Sequence, residues 1–239
     1  MTLFWTKTWE ALAGAVFPTP CVSCQELIAA HDPPLCAACW QRLPLLDGAA
    51  CRCGAPLPGA KGEECGRCRR GHSVISAGAS LGLYAGPLRQ CVVALKYHGR
   101  HRTAARLGVR MLAHDPCRGL LDGANVLVPV PLHEKRMSER GFNQAELLAA
   151  ALSRDRDVRI STGLIRVRDT PSQTDLSAGE RRQNVRNAFR ATPSADWRGA
   201  VVVLVDDVTT TGATLRECAR TLLSAGALEV RSITVARAE

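Results

Sequence analysis

The sequence predicts an α/β fold, a parallel sheet flanked by helices, with a metal-binding module at its N-terminus. Three observations lead there. Eight of the eleven cysteines fall between Cys21 and Cys68. From Val74 onward, short apolar runs alternate with segments whose apolar residues recur at helical spacing. One of those runs, Val202-Val203-Leu204-Val205, passes into Asp206-Asp207 and the turn Thr209-Thr210-Thr211-Gly212. At 239 residues the chain can bury a substantial core. The change of character near Gly71 divides it into 1–70, a helix plus the cysteine module, and 71–239, the α/β body.

The elements follow in order. Phe4, Trp5, Trp9 and Ala11–Phe17 are apolar in patches broken by Lys7 and Glu10, which predicts a short amphipathic helix packed on the body. A signal peptide would need an unbroken apolar core of about 7–15 residues. No stretch reaches the roughly 20 apolar residues that span a bilayer. The expectation is a cytoplasmic protein without a membrane span.

The cysteines come as four close pairs, Cys21/Cys24, Cys36/Cys39, Cys51/Cys53 and Cys65/Cys68. Two cysteines two residues apart turn both sulfurs toward one ion, and two such knuckles complete a tetrahedral zinc site. Cys21, Cys24, Cys36 and Cys39 fit that spacing. Cys51, Cys53, Cys65 and Cys68 repeat it with one residue fewer in the first knuckle. Four-thiolate sites are closed and structural. Zinc removal is therefore expected to unfold 21–70 and to leave ligand binding by the body intact. Cys91, Cys117 and Cys218 sit on apolar-periodic segments and read as core.

In the body, Val74–Tyr84 reads as a strand or hairpin arm. Pro87–Tyr97 is a helix with Pro at its first position, and Arg102–Ala113 a second, amphipathic helix. Asn125–Val130 is a strand, Asn143–Leu152 a helix, and Val158–Val167 holds one or two short strands. The Val202 strand leads to a helix over Thr214–Ser224, stopped at Gly226. Val230–Ala236 is the last strand. Ligands of such sheets bind beyond the carboxyl ends of the strands, where Asp206–Thr214 falls.

That segment is built for a phosphorylated sugar. The first N–H groups of a helix lack internal partners, and the macrodipole favours an anion there. Thr209, Thr210, Thr211 and Thr214 add hydroxyl donors, and Gly212 admits a close backbone approach. Carboxylates repel phosphate, so Asp206 and Asp207 serve another part of the ligand. A vicinal diol such as that of ribose suits them. A second anion cradle lies in Val128–Gln144, read as a strand, a basic loop and a helix start. Arg136 and Arg140 there suit a diphosphate, and Asn143 suits a helix N-cap. The long polar segment Arg166–Phe189 reads as a lid, with Gln173, Thr174, Arg181, Arg182 and Asn184 able to close over a charged ligand.

The charge agrees. Lys and Arg outnumber Asp and Glu by 31 to 22, a net of +9, and almost all the cations are Arg. That balance suits polyanions from pyrophosphate to nucleic acid. Aromatics make up only 4% of the chain, so base-stacking platforms are few.

The run Val202–Thr214 resembles the phosphoribosyl pyrophosphate (PRPP) signature of type I phosphoribosyltransferases. That resemblance implies Asp206 and Asp207 on the ribose hydroxyls and Thr209–Thr214 around the 5-phosphate. A longer ordered set sharpens it. The set comprises the cysteine knuckles, Leu95-Lys96-Tyr97-x-Gly99-Arg100, Val128-Pro-Val-Pro, Arg140-Gly-Phe-Asn-Gln144, Thr170–Val185 and Val205-Asp-Asp-Val-Thr-Thr-Thr-Gly212. With it the chain resembles the bacterial ComF/GntX-type family of double-zinc-ribbon phosphoribosyltransferases, linked to competence for DNA uptake. Cys51-x-Cys53 departs from the family's usual two-residue spacing.

The resemblance implies a type I phosphoribosyltransferase fold with an N-terminal zinc ribbon, structural zinc, and PRPP bound with Mg²⁺. It further implies phosphoribosyl transfer to an acceptor, in which Arg181, Arg182 and Asn184 act through lid closure, with a hood over Pro87–Ala113 choosing that acceptor. The alternative it carries is a non-enzymatic competence factor that binds single-stranded DNA, with PRPP regulatory and other DNA-uptake proteins as partners.

Overall fold

The computed structural model describes residues 19–28, 34–57, 64–71, 73–97, 101–154, 156–169, 183–193 and 195–238. The short N-terminal helix expected from Phe4, Trp5, Trp9 and Ala11–Phe17 lies outside them. The strands are β1 (Thr19–Pro20), β2 (Leu27–Ile28), β3 (Gly78–Leu83), β4 (Val126–Pro129), β5 (Arg159–Ile160), β6 (Leu164–Arg166), β7 (Phe189–Ala191), β8 (Val201–Thr209) and β9 (Glu229–Arg237). The helices are α1 (Ala37–Gln41), α2 (Gly66–Arg69), α3 (Gly86–Tyr97), α4 (His101–Leu112), α5 (Asp115–Gly119), α6 (Glu134–Arg140), α7 (Gln144–Ser153) and α8 (Ala213–Ser224).

Five strands form a parallel sheet in the order β3-β9-β8-β4-β5. Its centre is β8, aligned with β9 through Val202↔Val230 and with β4 through Val128↔Leu204. Val202 to Val205 are wholly buried, as an unbroken apolar run between two covered faces requires. Alternation along the strand sends Val203 and Val205 to one face and Val202 and Leu204 to the other. The first face packs against α3, α4 and α7 through Leu88, Leu95, Leu107 and Leu148. The second packs against α8 and the antiparallel β6–β7 pair through Leu215, Leu222, Leu164 and Phe189.

The cysteine module shares the first core. Cys21, Leu35, Cys36 and Cys39 cluster with Leu81, Leu88 and Cys91. Its backbone also extends the edge strand: Leu45 bridges Gly82, and Leu83 N–H donates to the Pro44 carbonyl at 2.8 Å. A second contact is made at Gly78, where a Cβ would come within 3.0 Å of the Cys53 carbonyl. Only glycine admits that approach.

One local reading needs correction. Residues 134–140, read as a basic loop, are helical. His133 caps α6 by accepting from Lys135 N–H, and Gly141 ends it in the left-handed region at φ 76°. Pro87–Ala113, expected to form a hood, buries one face of α3 and α4, with Leu88, Val92, Leu95 and Leu107 fully buried, and leaves Arg89, Arg102 and Arg106 exposed. Its reach to the ligand end comes through Lys96 near the C-terminus of α3.

Candidate functional site

Each cysteine quartet is drawn together, with its four sulfurs within 4.8 Å of one another. Four thiolates about 2.3 Å from a tetrahedral ion lie about 3.8 Å apart. Cys24 and Cys36 sulfurs are 3.6 Å apart, and those of Cys53 and Cys65 are 3.8 Å apart. Both quartets therefore fit zinc, including the one with the tighter Cys51-x-Cys53 knuckle. No described cysteine is in a disulfide. Burial would raise the Cys21 thiol, but backbone N–H groups of Cys24, Cys36 and Ser23 outweigh it and hold that thiol at about 6. In the second quartet the N–H groups of Cys68 and Arg67 overcome burial in the same way and hold Cys65 at about 6. Each quartet thus offers one thiolate near neutral pH, the form a metal needs. Cys91, Cys117 and Cys218 are buried, as their spacing predicts.

The loop after β8 is held open over the start of α8. Gly212 is the N-cap residue, at φ 69° and ψ 19°, a conformation side chains resist. Arg216 Nη1 donates to the Thr211 carbonyl at 2.7 Å. Thr209, Thr210, Thr211 and Gly212 line a cavity of about 350 Å³. Thr209 is only 5% exposed, and its hydroxyl has no hydrogen-bond partner. Buried hydroxyls are almost always paired, and the adjoining cavity has room for a group that would pair this one. Thr214, at the first turn of α8, is engaged within the fold.

The acidic pair divides between the two faces of the sheet. Asp207 follows Val203 and Val205 toward α3 and α7. There its carboxylate meets Lys96 Nζ at 2.5 Å and accepts from Gln144 Nε2 at 3.3 Å. Gln144 in turn accepts from Arg140 Nη1 at 2.7 Å. Burial would raise the Asp207 carboxyl, but the Lys96 ammonium prevails and holds it below its ordinary range. Burial would lower Lys96, and the Asp207 charge reverses that too. Asp206, on the α8 side, accepts from the Asp207 N–H at 2.8 Å. Burial, then the neighbouring Asp207 carboxylate, push its carboxyl well above the usual range.

Arg140 therefore joins the Asp207 network, while Arg136 lies close enough to Arg166 for the two cations to repel. Asn143 is the N-cap of α7, as its position predicts. Its Oδ1 accepts from Ala145 N–H at 3.0 Å, and its Nδ2 donates to the Val130 carbonyl at 3.1 Å. The long polar segment springs from β6 and β7, whose frame is closed by Arg168 donating to the Arg186 carbonyl. Asn184 sits at its return, half-buried. Arg181, Arg182, Gln173 and Thr174 lie outside the described residues.

Sequence reasoning missed Lys96, Gln144, Arg67, Arg216 and Arg237 as site residues. Lys96 and Gln144 sit inside motifs already quoted, and the signal was their polarity at helix positions that otherwise face the core. Arg67, Arg216 and Arg237 carry no pattern of their own and converge only through the fold.

Comparison with known proteins identifies the family. The phosphoribosyl transferase domain model matches residues 139–239, and the double zinc ribbon domain model matches residues 12–69. The chain is 32% identical to "Competence protein F" of Haemophilus influenzae over 91% of its own length and 96% of that protein. It is 34% identical to "DNA utilization protein YhgH" of Escherichia coli K12 over 90% of its length and 95% of that protein. Among solved structures it is similar to a Bacillus subtilis glutamine PRPP amidotransferase, at 26% identity and a TM-score of 0.37, over 60% of this chain and 30% of that one. No helix among the described residues is long and apolar enough to cross a membrane. The chain belongs to the competence protein F family, with a double zinc ribbon and a phosphoribosyltransferase domain built on its parallel sheet.

Proposed function

We propose that this protein binds PRPP with Mg²⁺ at the carboxyl end of β8 and transfers the phosphoribosyl group to an acceptor, in support of DNA uptake from the cytoplasmic side. One observation carries the reading. A buried, unpartnered Thr209 hydroxyl and a left-handed Gly212 open the N-terminus of α8, and Asp206, whose carboxyl is pushed up by burial and by Asp207, ends the same strand. In this reading the loop N–H groups and Thr209–Thr214 take the 5-phosphate, and Asp206 takes the ribose hydroxyls. Asp207 holds the strand end in register through Lys96, and Arg136 and Arg140 face the diphosphate. Mg²⁺ supplies charge neutralisation as the diphosphate departs. Arg181, Arg182 and Asn184 belong to the segment that excludes water.

Asp206→Asn is expected to weaken PRPP–Mg²⁺ binding at least tenfold, since a hydrogen bond to a charged group contributes about 1.5–3 kcal/mol. Binding should also fade on acidification from well above the ordinary carboxylate range, because the raised carboxyl protonates early and loses its acceptor strength. Asp206→Asn should flatten that profile. Calorimetry at several pH values reads both. Unchanged affinity in folded Asp206→Asn would remove the ribose assignment.

The second reading, single-stranded DNA binding with PRPP as a regulator, is favoured by the net charge of +9 and by relatives named for DNA utilization. Arg181→Ala with Arg182→Ala separates the two. The enzyme reading expects turnover to fall more than PRPP affinity, because closure acts on the transition state. Loss of oligonucleotide binding with PRPP affinity unchanged would instead favour the DNA reading.

A further inference from the structure

The cavity against the Thr209–Gly212 loop has a second wall, and that wall is the second zinc ribbon. Between the knuckle cysteines Cys65 and Cys68, Arg67 extends to the loop and donates through Nη1 to the Thr211 carbonyl. Arg237, at the end of β9, donates through Nη2 to the Cys53 carbonyl at 3.2 Å and through Nη1 to the Thr210 carbonyl at 3.5 Å. Arg216 of α8 shares the Thr211 carbonyl. Guanidinium groups from a ribbon, a strand and a helix thus meet on two adjacent carbonyls of the loop. Arg70, exposed at the end of α2, lines the same cavity.

The lining carries four guanidinium groups, and three ligands of the second quartet, Cys53, Cys65 and Cys68, stand among them. Four arginines and the threonine hydroxyls face about 350 Å³, and no carboxylate lines it among the described residues. Each guanidinium has five N–H donors, and one loop carbonyl occupies few of them. Arg237 Nε is buried without a hydrogen-bond partner, like the Thr209 hydroxyl beside it. The thiolates of the quartet offset part of this charge, and the N–H donors left over suit phosphate oxygens, which arginine recognises bidentately.

We propose that the second zinc ribbon is part of the phosphate-binding site: Arg67 positions the loop, Arg67 and Arg70 form its cationic wall, and zinc in the Cys51/Cys53/Cys65/Cys68 quartet is thermodynamically coupled to the phosphorylated ligand. This rests on the PRPP reading above for the identity of that ligand. An ion held by Cys65, the N-cap of α2, and by Cys68 within it would fix that helix, and α2 carries Arg67. Losing the ion would release the arginine from the loop. By reciprocity, filling the cavity with phosphate must tighten the hold on zinc. The expectation that zinc removal leaves ligand binding intact is revised accordingly for the second quartet.

The test uses the full zinc-loaded chain. Arg67→Ala with Arg70→Ala should weaken PRPP–Mg²⁺ binding by about tenfold or more in calorimetry, with zinc content unchanged. Arg67→Lys should restore part of the loss, because a point charge replaces a fork. Excess PRPP–Mg²⁺ should slow zinc release to a chromogenic chelator in the wild type, and should not in the double variant. Equal PRPP affinity in wild type and double variant overturns the inference while leaving the PRPP reading standing. If the wild type binds no PRPP, that reading fails, and inorganic pyrophosphate becomes the probe. Slower zinc release with pyrophosphate, lost in the double variant, would still support the composite anion site, and no effect would overturn it.

Discussion

Breaking the first zinc quartet is expected to unfold the protein well beyond the ribbon that contains it. Cys21 and Cys39 are wholly buried, and with Leu35 and Cys36 they belong to one apolar cluster with Leu81, Leu88, Cys91 and Leu95. That cluster continues through Val203, Val205 and Ile233 into the centre of the sheet. The first quartet is therefore a corner of the main core. Structural zinc contributes about 10–16 kcal/mol of apparent binding free energy in isolated ribbon-sized peptides. Whole domains are stable by only about 5–15 kcal/mol. Cys39→Ser should consequently lower the Tm of the whole chain by about 10 °C or more, with loss of helical signal from α3 and α4. Cys53→Ser should cost less global stability, since its quartet meets the body at the sheet edge and at the ligand loop, and should act chiefly on PRPP affinity. Purified protein should carry two equivalents of zinc. A Cys39→Ser variant that loses one equivalent yet melts with the wild type would show that the first ribbon folds apart from the body.

The same residues show how far the sequence could be read. The sheet was legible because buried parallel strands and amphipathic helices have different periods, and β4, β8 and β9 are apolar runs adjoining such helices. The quartets were legible because cysteine spacing is a covalent constraint that survives without a fold. What could not be read was juxtaposition. Leu95-Lys96-Tyr97, Arg140-Gly-Phe-Asn-Gln144 and Val205-Asp-Asp-Val stood out as three separate motifs. The fold joins them as one network, Arg140 to Gln144 to Asp207 to Lys96. The strand's two-residue period does predict that Asp206 and Asp207 point to opposite faces. The fold nonetheless keeps the two carboxyls in contact at the end of β8, with Asp206 accepting from the Asp207 N–H. Arg67 was invisible for a different reason: its partner, Thr211, is 144 residues away, and the contact is to a backbone carbonyl.

Lys96→Met provides the sharpest test of that network. The pair is short, at 2.5 Å, and almost dry, with 5% of the Asp207 side chain and 24% of the Lys96 side chain exposed. Removing one partner of a buried pair strands the other charge, which typically costs about 3–5 kcal/mol. Because part of Lys96 meets solvent, the lower figure, about 3 kcal/mol, is the expectation here, a fall in Tm of about 6–12 °C for a chain of this size. The pH dependence follows from the directions of the two shifts. Asp207 is held below its ordinary value, so its contribution is present above the unfolded carboxyl pKa of about 4 and is lost as pH falls through the folded value. Lys96 is held above its ordinary value, so its contribution is present below the unfolded pKa of about 10.4 and is lost as pH rises through the folded value. Between those limits the pair contributes fully. In Lys96→Met the buried Asp207 carboxyl loses the cation that lowered it and comes to favour its protonated form, so the gap to wild type should narrow on acidification below neutrality. Lys96→Met with Asp207→Asn should recover much of the lost stability at pH 7, because neither charge is then left alone. Thermal melts of the four proteins at neutral and acidic pH complete the cycle. A Lys96→Met variant as stable as wild type at pH 7, or no recovery in the double variant, would mean that Asp207 is held by Gln144 and the backbone and that Lys96 is free to meet the ligand.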